Sequence, residues 1–152
     1  MADRVEIVRS LMPGPNDDLT DLWMPNATEA QLPAWREAAM VFFTDDVVCV
    51  FHAISDEAHH GLEGLREAWL DWLRPWETYR AEVQDVRALS ETEVIIVSRD
   101  FARRPGSARE LEMRGFAVYT FRGDKIARVD QFPDNHDIPA AKFGPNAAPR
   151  AK

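Results

Sequence analysis

Apolar residues recur along this chain with two different periods, and the change between them divides it in half. From Gly61 to Trp76, Leu62, Leu65, Trp69, Trp72, Leu73 and Trp76 follow one another at intervals of three and four. On a helix that spacing gathers them on one side, opposite Glu63, Arg66, Glu67, Asp71 and Arg74. Pro75 cannot continue the helical ladder and drives Arg74 towards an extended conformation, so the helix is expected to end near Leu73. Beyond it the period falls to two. Tyr79–Leu89, Glu93–Arg103, Glu110–Arg122 and Lys125–Phe132 each read as strands, separated by turns at 90–92, 105–107 and 123–124. Four long strands in succession imply an antiparallel meander.

The first half reads as helices and one strand. Val5, Ile7, Val8 and Leu11 define a short helix that the Pro-Gly-Pro of residues 13–15 stops. Asn16–Pro25 holds at most one helical turn. A second helix is expected from Pro33 to Phe43, with Trp35, Ala38, Ala39, Phe42 and Phe43 as its apolar side. Val47–Phe51 is a β-branched run of strand length, followed by a polar loop over Ser55–Gly61. Asp134–Phe143 is expected to form a short helix closing over the sheet, limited by Pro139, with His136 at its start or in the tail.

With 152 residues the chain forms one domain, its core at about 33–144, a helix and loop over 1–32 and a tail at 145–152. Hydrophobic residues are 45% and charged residues 29%, the balance of a globular protein. No apolar run approaches the ~18 residues of a membrane span, and acids interrupt the N-terminal apolar residues, unlike a secretory signal. A cytoplasmic location is expected. The net charge of −8, with basic residues scattered among acids, argues against nucleic-acid or anionic-membrane partners. The single cysteine, Cys49, lies in the run VVCVF and reads as a small buried hydrophobe.

Helices first, then one bent antiparallel sheet with a helix across its concave side, is an α+β layout. The order of elements, with LREAWLDWLRPWETYRAEV, AVYTFRGDKIARVDQFPD and the closing PAAKFG, resembles the SnoaL-like branch of the nuclear transport factor 2-like superfamily. The resemblance covers roughly residues 33–144. It implies an α+β cone whose sheet and long helix enclose an apolar cavity, and relatives that include polyketide cyclases, limonene-1,2-epoxide hydrolase and ketosteroid isomerase. In such proteins carboxylates projecting into the cavity usually perform the catalysis.

Alignment by eye with the hydrolase and isomerase patterns turns Ser98, Asp100, Leu111, Met113, Gly115, Ala117, Val129 and Gln131 towards the cavity. Arg99, Glu112, Arg114, Phe116, Val118 and Asp130 fall on the opposite face. Asp100 then stands where the epoxide hydrolase pattern has its acidic general acid, and burial would raise its pKa towards neutrality. Its other reading is a strand-edge carboxylate paired with Arg99, Arg103 or Arg114. Ser98 replaces that pattern's arginine and Gln131 its second carboxylate, unless a one-residue shift brings Asp130 there. The isomerase pattern's base falls on Phe51 and its protonated acid on Ala117, so neither reaction is reproduced.

His52, after the first strand, is a second candidate proton carrier at the pocket rim, or a silent hydrogen-bonded histidine. Phe51, Trp72, Trp76, Tyr79, Ser98, Met113 and Gln131 are the expected ligand-pocket residues, and the indoles would favour a small hydrophobic or aromatic ligand. His59 and His60, near Asp56 and Glu57, lack the helical spacing that preorganises a metal site, so no metal and no organic cofactor is expected. The opposite sheet face mixes arginines, acids, Phe101, Phe116 and Val118, a composition that predicts a homodimer through it. Two functions fit: a cofactor-free acid–base enzyme of cyclase, isomerase or hydrolase type, and a non-catalytic ligand-binding or accessory module.

Overall fold

The computed structural model describes residues 3–23 and 29–133. The expected closing helix over Asp134–Phe143, with His136, lies outside them. Helix α1 spans Arg4–Leu11 and is capped by the Asp3 carboxylate, which accepts the Val5 amide at 2.9 Å. A short α2 (Leu19–Trp23) follows, then a 3₁₀ turn at Glu29–Gln31 leading into α3 (Leu32–Ala39), where Pro33 occupies the first turn. This third helix ends earlier than the Pro33–Phe43 expected from the apolar spacing. Phe43 instead begins strand β1 (Phe43–Phe51), and Phe42 leads into it, its carbonyl accepting the Ile126 amide at 2.8 Å.

Strand β2 is the two-residue His59–His60, and α4 runs from Gly61 to Leu73, ending where Pro75 requires. Gly61 adopts φ 79°, a left-handed conformation that lets the chain turn directly from strand to helix. Strands β3 (Thr78–Ala88), β4 (Glu93–Arg103), β5 (Glu110–Arg122) and β6 (Lys125–Pro133) complete one sheet in the order β2-β1-β6-β5-β4-β3. From β3 to β6 it is the antiparallel meander read from the sequence. Its β1–β6 pairing is parallel, with Phe51 beside Gln131, so the sheet is mixed rather than wholly antiparallel.

Helix α4 lies across the inner face of this curled sheet and packs chiefly on β1. Leu62, Leu65, Leu70 and Leu73 are at most 2% exposed, and burying each contributes about 1.5–3 kcal/mol. The helix is covered more widely than its amphipathic pattern predicts, since Arg66 on the expected polar side is also buried. The N-terminal helices add to its cover, because α2 and α3 both contact α4. Asp18 ties α2 to β3: its Oδ1 accepts the Thr20 hydroxyl at 2.7 Å and the Tyr79 amide at 3.0 Å.

Candidate ligand site

Strand alternation decides which side chains enter the space beneath α4. Asp100 pairs with Met113 and Ser98 with Gly115 across β4–β5, while Ala117 pairs with Gln131 across β5–β6, so these residues share the inner face. Arg99 and Asp130 therefore point outward, and the one-residue shift that would bring Asp130 inside does not occur. A bulge between Val83 and Asp85 interrupts β3 and resets its alternation, keeping Tyr79, Ala81 and Val83 on the inner side and returning Val86 to it.

Two cavities open on this face, of about 340 Å³ and about 430 Å³. The first lies beneath the N-terminal helices, walled by Leu11, Leu19, Trp35, Leu65, Ile96 and Tyr119 among others. Toward the last residues of β1 and β6 lies the second, lined by Phe51, Trp72, Met113 and Phe132 among others. Trp69, Tyr79, Ser98, Asp100 and Gln131 line both, so the Asp100 carboxylate stands in the wall common to the two.

The surroundings of Asp100 are polar only on one side. The Tyr79 hydroxyl donates to its Oδ2, a contact that crosses diagonally from β3 to β4. Its Oδ1 is buried and has no hydrogen-bond partner. Burial raises the Asp100 pKa, and hydrogen bonding by Tyr79 and Ser98 offsets only part of that rise. The Tyr79 phenol is itself pushed well above its ordinary value, by desolvation first and by the Asp100 charge second. Phe51 meets Trp69 edge-on at 5.1 Å and Trp72 at 5.6 Å, forming the aromatic side of the second cavity.

Not every expected pocket residue lines this space. Trp76 borders neither cavity; Pro75 has already ended the helix, and the indole packs against the Tyr79 ring at 6.3 Å beneath the Arg104 guanidinium. His52 also borders neither, because Phe51 points inward and the next residue faces out. There its Nε2 lies 2.9 Å from Asp130, its Nδ1 lies 2.7 Å from Asp56, and its ring stacks on Phe132 at 4.4 Å. Burial pushes Asp130 up, but Arg128 and His52 outweigh it and hold the carboxyl below the usual range. This arrangement makes His52 part of an outer-face ion cluster rather than a group of the Asp100 site.

Cys49 is fully buried, and desolvation raises its thiol to about 12. Among the described residues no cluster of three or more histidines, cysteines or carboxylates is placed to hold a metal ion. Two features of the site escaped the sequence reading. Asp100 and Tyr79 form a hydrogen-bonded pair, signalled only by both falling inward near the same ends of adjacent strands. Tyr119 also lines the first cavity, and its inward position follows from the same alternation as Ala117.

The family model for the SnoaL-like domain matches residues 33–129. The chain belongs to the SnoaL-like family. Its match covers α3 through most of β6, the segment that supplies most of the lining of both cavities. Among solved structures, a candidate SnoaL-like polyketide cyclase from Jannaschia sp. CCS1 superposes with TM-score 0.62 at 18% identity, covering 96% of this chain and 93% of that one. An NTF2-like protein of unknown function from Burkholderia pseudomallei gives 0.60 at 11% identity, with 93% and 95% covered. A candidate polyketide cyclase from Acidithiobacillus ferrooxidans gives 0.57 at 17%, with 89% and 91% covered. At such identities the SnoaL-like neighbours establish the α+β cone and not its chemistry. No curated protein matches the chain.

Proposed function

We propose that this SnoaL-like protein binds a small hydrophobic, aromatic molecule beneath α4 and moves a proton on it with Asp100, without metal or organic cofactor. One observation carries the proposal: a buried carboxylate oxygen, Oδ1 of Asp100, stands unpartnered in a wall that two mostly apolar cavities share. Tyr79 holds the other oxygen, so the carboxylate has one free acceptor atom with a fixed direction. On a ligand with an acidic C–H beside a carbonyl, the C–H bond would break and its proton would bond to Oδ1. The electron pair left behind would pass to the carbonyl oxygen as an enolate, and a raised pKa makes the ionised carboxylate a stronger base for that step. The neighbours described as candidate polyketide cyclases fit chemistry of this class.

The test uses a generic aryl ketone. Exchange of the α-protons of 2-tetralone in heavy-water buffer, followed by NMR, should run faster with the wild-type protein than without it. Asp100→Asn should remove that acceleration by roughly a hundredfold or more, the usual contribution of a placed general base. A wild-type protein that leaves the buffer rate unchanged while binding the ketone would instead select the second reading, a non-catalytic binding module. That reading is favoured by Ser98 and Gln131, which occupy the positions where an epoxide hydrolase pattern has an arginine and a second carboxylate.

The protein is further proposed to act as a cytoplasmic homodimer through the outer sheet face. Phe116 and Val118, two of the residues expected there, are already buried within the chain. What supports the interface is the other end of that face, where Phe101 lies under the Arg80 and Arg99 guanidiniums at 4.2 and 5.3 Å. Glu82, Glu110 and Glu112 alternate with these arginines, a mixed-charge surface able to pair with its own copy.

A further inference from the structure

The first cavity holds a second polar group besides Asp100. Tyr119 is 6% exposed, lines the cavity between β4 and β6, and its hydroxyl has no hydrogen-bond partner among the described residues. Desolvation raises its pKa, so the phenol stays neutral and keeps its proton to donate. A buried polar atom left without a partner costs free energy, and native interiors satisfy nearly all such groups. Asp100 Oδ1 is such an atom. Asp100 pairs with Met113, and Tyr119 follows on the same strand and face, six residues on. At ~3.3 Å per residue their backbones stand roughly 20 Å apart. Between them the cavity wall carries the apolar Ile96 and Ala117, with Ser98 and Gln131 as its polar members.

We infer that the first cavity is a two-pole site for an elongate, flat, mostly apolar molecule with an oxygen function at each end, one read by Asp100 and Tyr79 and the other by the Tyr119 hydroxyl. One terminal oxygen satisfies the buried Asp100 Oδ1 that the fold itself leaves unpaired and the other meets the Tyr119 hydroxyl, while the ring system between them replaces solvent along the mostly apolar wall. Tyr119 is then a binding and orienting residue. It fixes which end of the ligand reaches the carboxylate, and so which proton can be moved.

The inference rests on the ligand-pocket reading, and two probes separate the two claims. Isothermal titration calorimetry compares 4-hydroxybiphenyl, with one terminal hydroxyl, and 4,4′-dihydroxybiphenyl, with one at each end. Wild type should bind the second roughly five- to tenfold more tightly, the worth of one buried hydrogen bond. Tyr119→Phe should abolish that preference while leaving 4-hydroxybiphenyl within about twofold. In wild type labelled at tyrosine Cζ, the Tyr119 signal should shift with the dihydroxy probe, a readout that needs no variant to fold. A preference that survives in Tyr119→Phe, an absent preference in wild type, or an unmoved Tyr119 signal overturns the two-pole site and leaves the pocket standing. Binding of neither probe overturns both.

Discussion

Asp100 and Asp130 stand on opposite faces of the same sheet, and their surroundings displace them in opposite directions. Burial raises Asp100, and only hydrogen bonding by Tyr79 and Ser98 acts against it, with no arginine beside them. Burial also acts on Asp130, but Arg128 donates to it at 2.8 and 3.1 Å and His52 lies at 2.9 Å, so the net displacement is downward. The signs fix how each affects stability. Because the folded Asp100 holds its proton to higher pH than the unfolded chain does, its ionised form carries a folding penalty. That penalty is complete above the folded pKa and vanishes as pH falls below the unfolded value. Asp100→Asn should therefore raise the melting temperature near neutral pH and lose that advantage by about pH 4. Thermal denaturation of both proteins at the two pH values checks it, and a variant less stable than wild type at neutrality would contradict the burial of this carboxylate. Asp130 has the opposite sign: its stabilising contribution is present above the unfolded pKa and lost as pH falls through the folded one.

At the scale of elements, α4 owes its position to two glycines. Gly61 supplies the left-handed turn from β2, and at Gly64 the helix comes so close to β2 that an added Cβ would lie 2.9 Å from the His59 carbonyl carbon. That obstacle is backbone, so Gly64→Ala must push the helix away from β2 despite alanine's better helix propensity. The expected cost is about 1–3 kcal/mol of stability, measured by chemical denaturation; an unchanged or higher midpoint would mean that the close approach is not a constraint. The strand and helix boundaries were largely legible because their signals are local. Pro75 ends α4, and the period-two runs give β3 to β6 within a residue or two. The early end of α3 was not legible, since Phe42 and Phe43 continue a helical apolar pattern and only the hydrogen bond to Ile126 draws them into the sheet. The β3 bulge was visible in hindsight, as the interval of three between Val83 and Val86 in a period-two run.

At the scale of the whole molecule, long-range pairing was what the sequence concealed. Nothing local says that β1 joins β6 in parallel, yet that register turns Phe51 inward and His52 outward to Asp130. The inner positions of Asp100, Ser98, Met113 and Gln131 could be read because alternation carries a face assignment along each strand once one position is anchored. The proposed homodimer belongs to this scale as well. Gel filtration with light scattering should report twice the chain mass of 17.3 kDa at micromolar concentration, falling towards one chain with Phe101→Glu, whose carboxylate meets its own copy across the interface. A wild-type monomer would remove that interface.

The position of the Asp100 carboxylate decides whether the inner face holds a proton-moving group. The measurement that tests it most directly is an NMR titration of the Asp100 side-chain carboxyl carbon, assigned by its loss in Asp100→Asn and followed with and without the Tyr79→Phe substitution. A pKa above the ~3.9 of a free aspartate, rising further when the Tyr79 hydroxyl is removed, is the predicted result. A normal or depressed value would place the carboxylate in solvent or beside an arginine, and would contradict a proton-moving group between the two cavities.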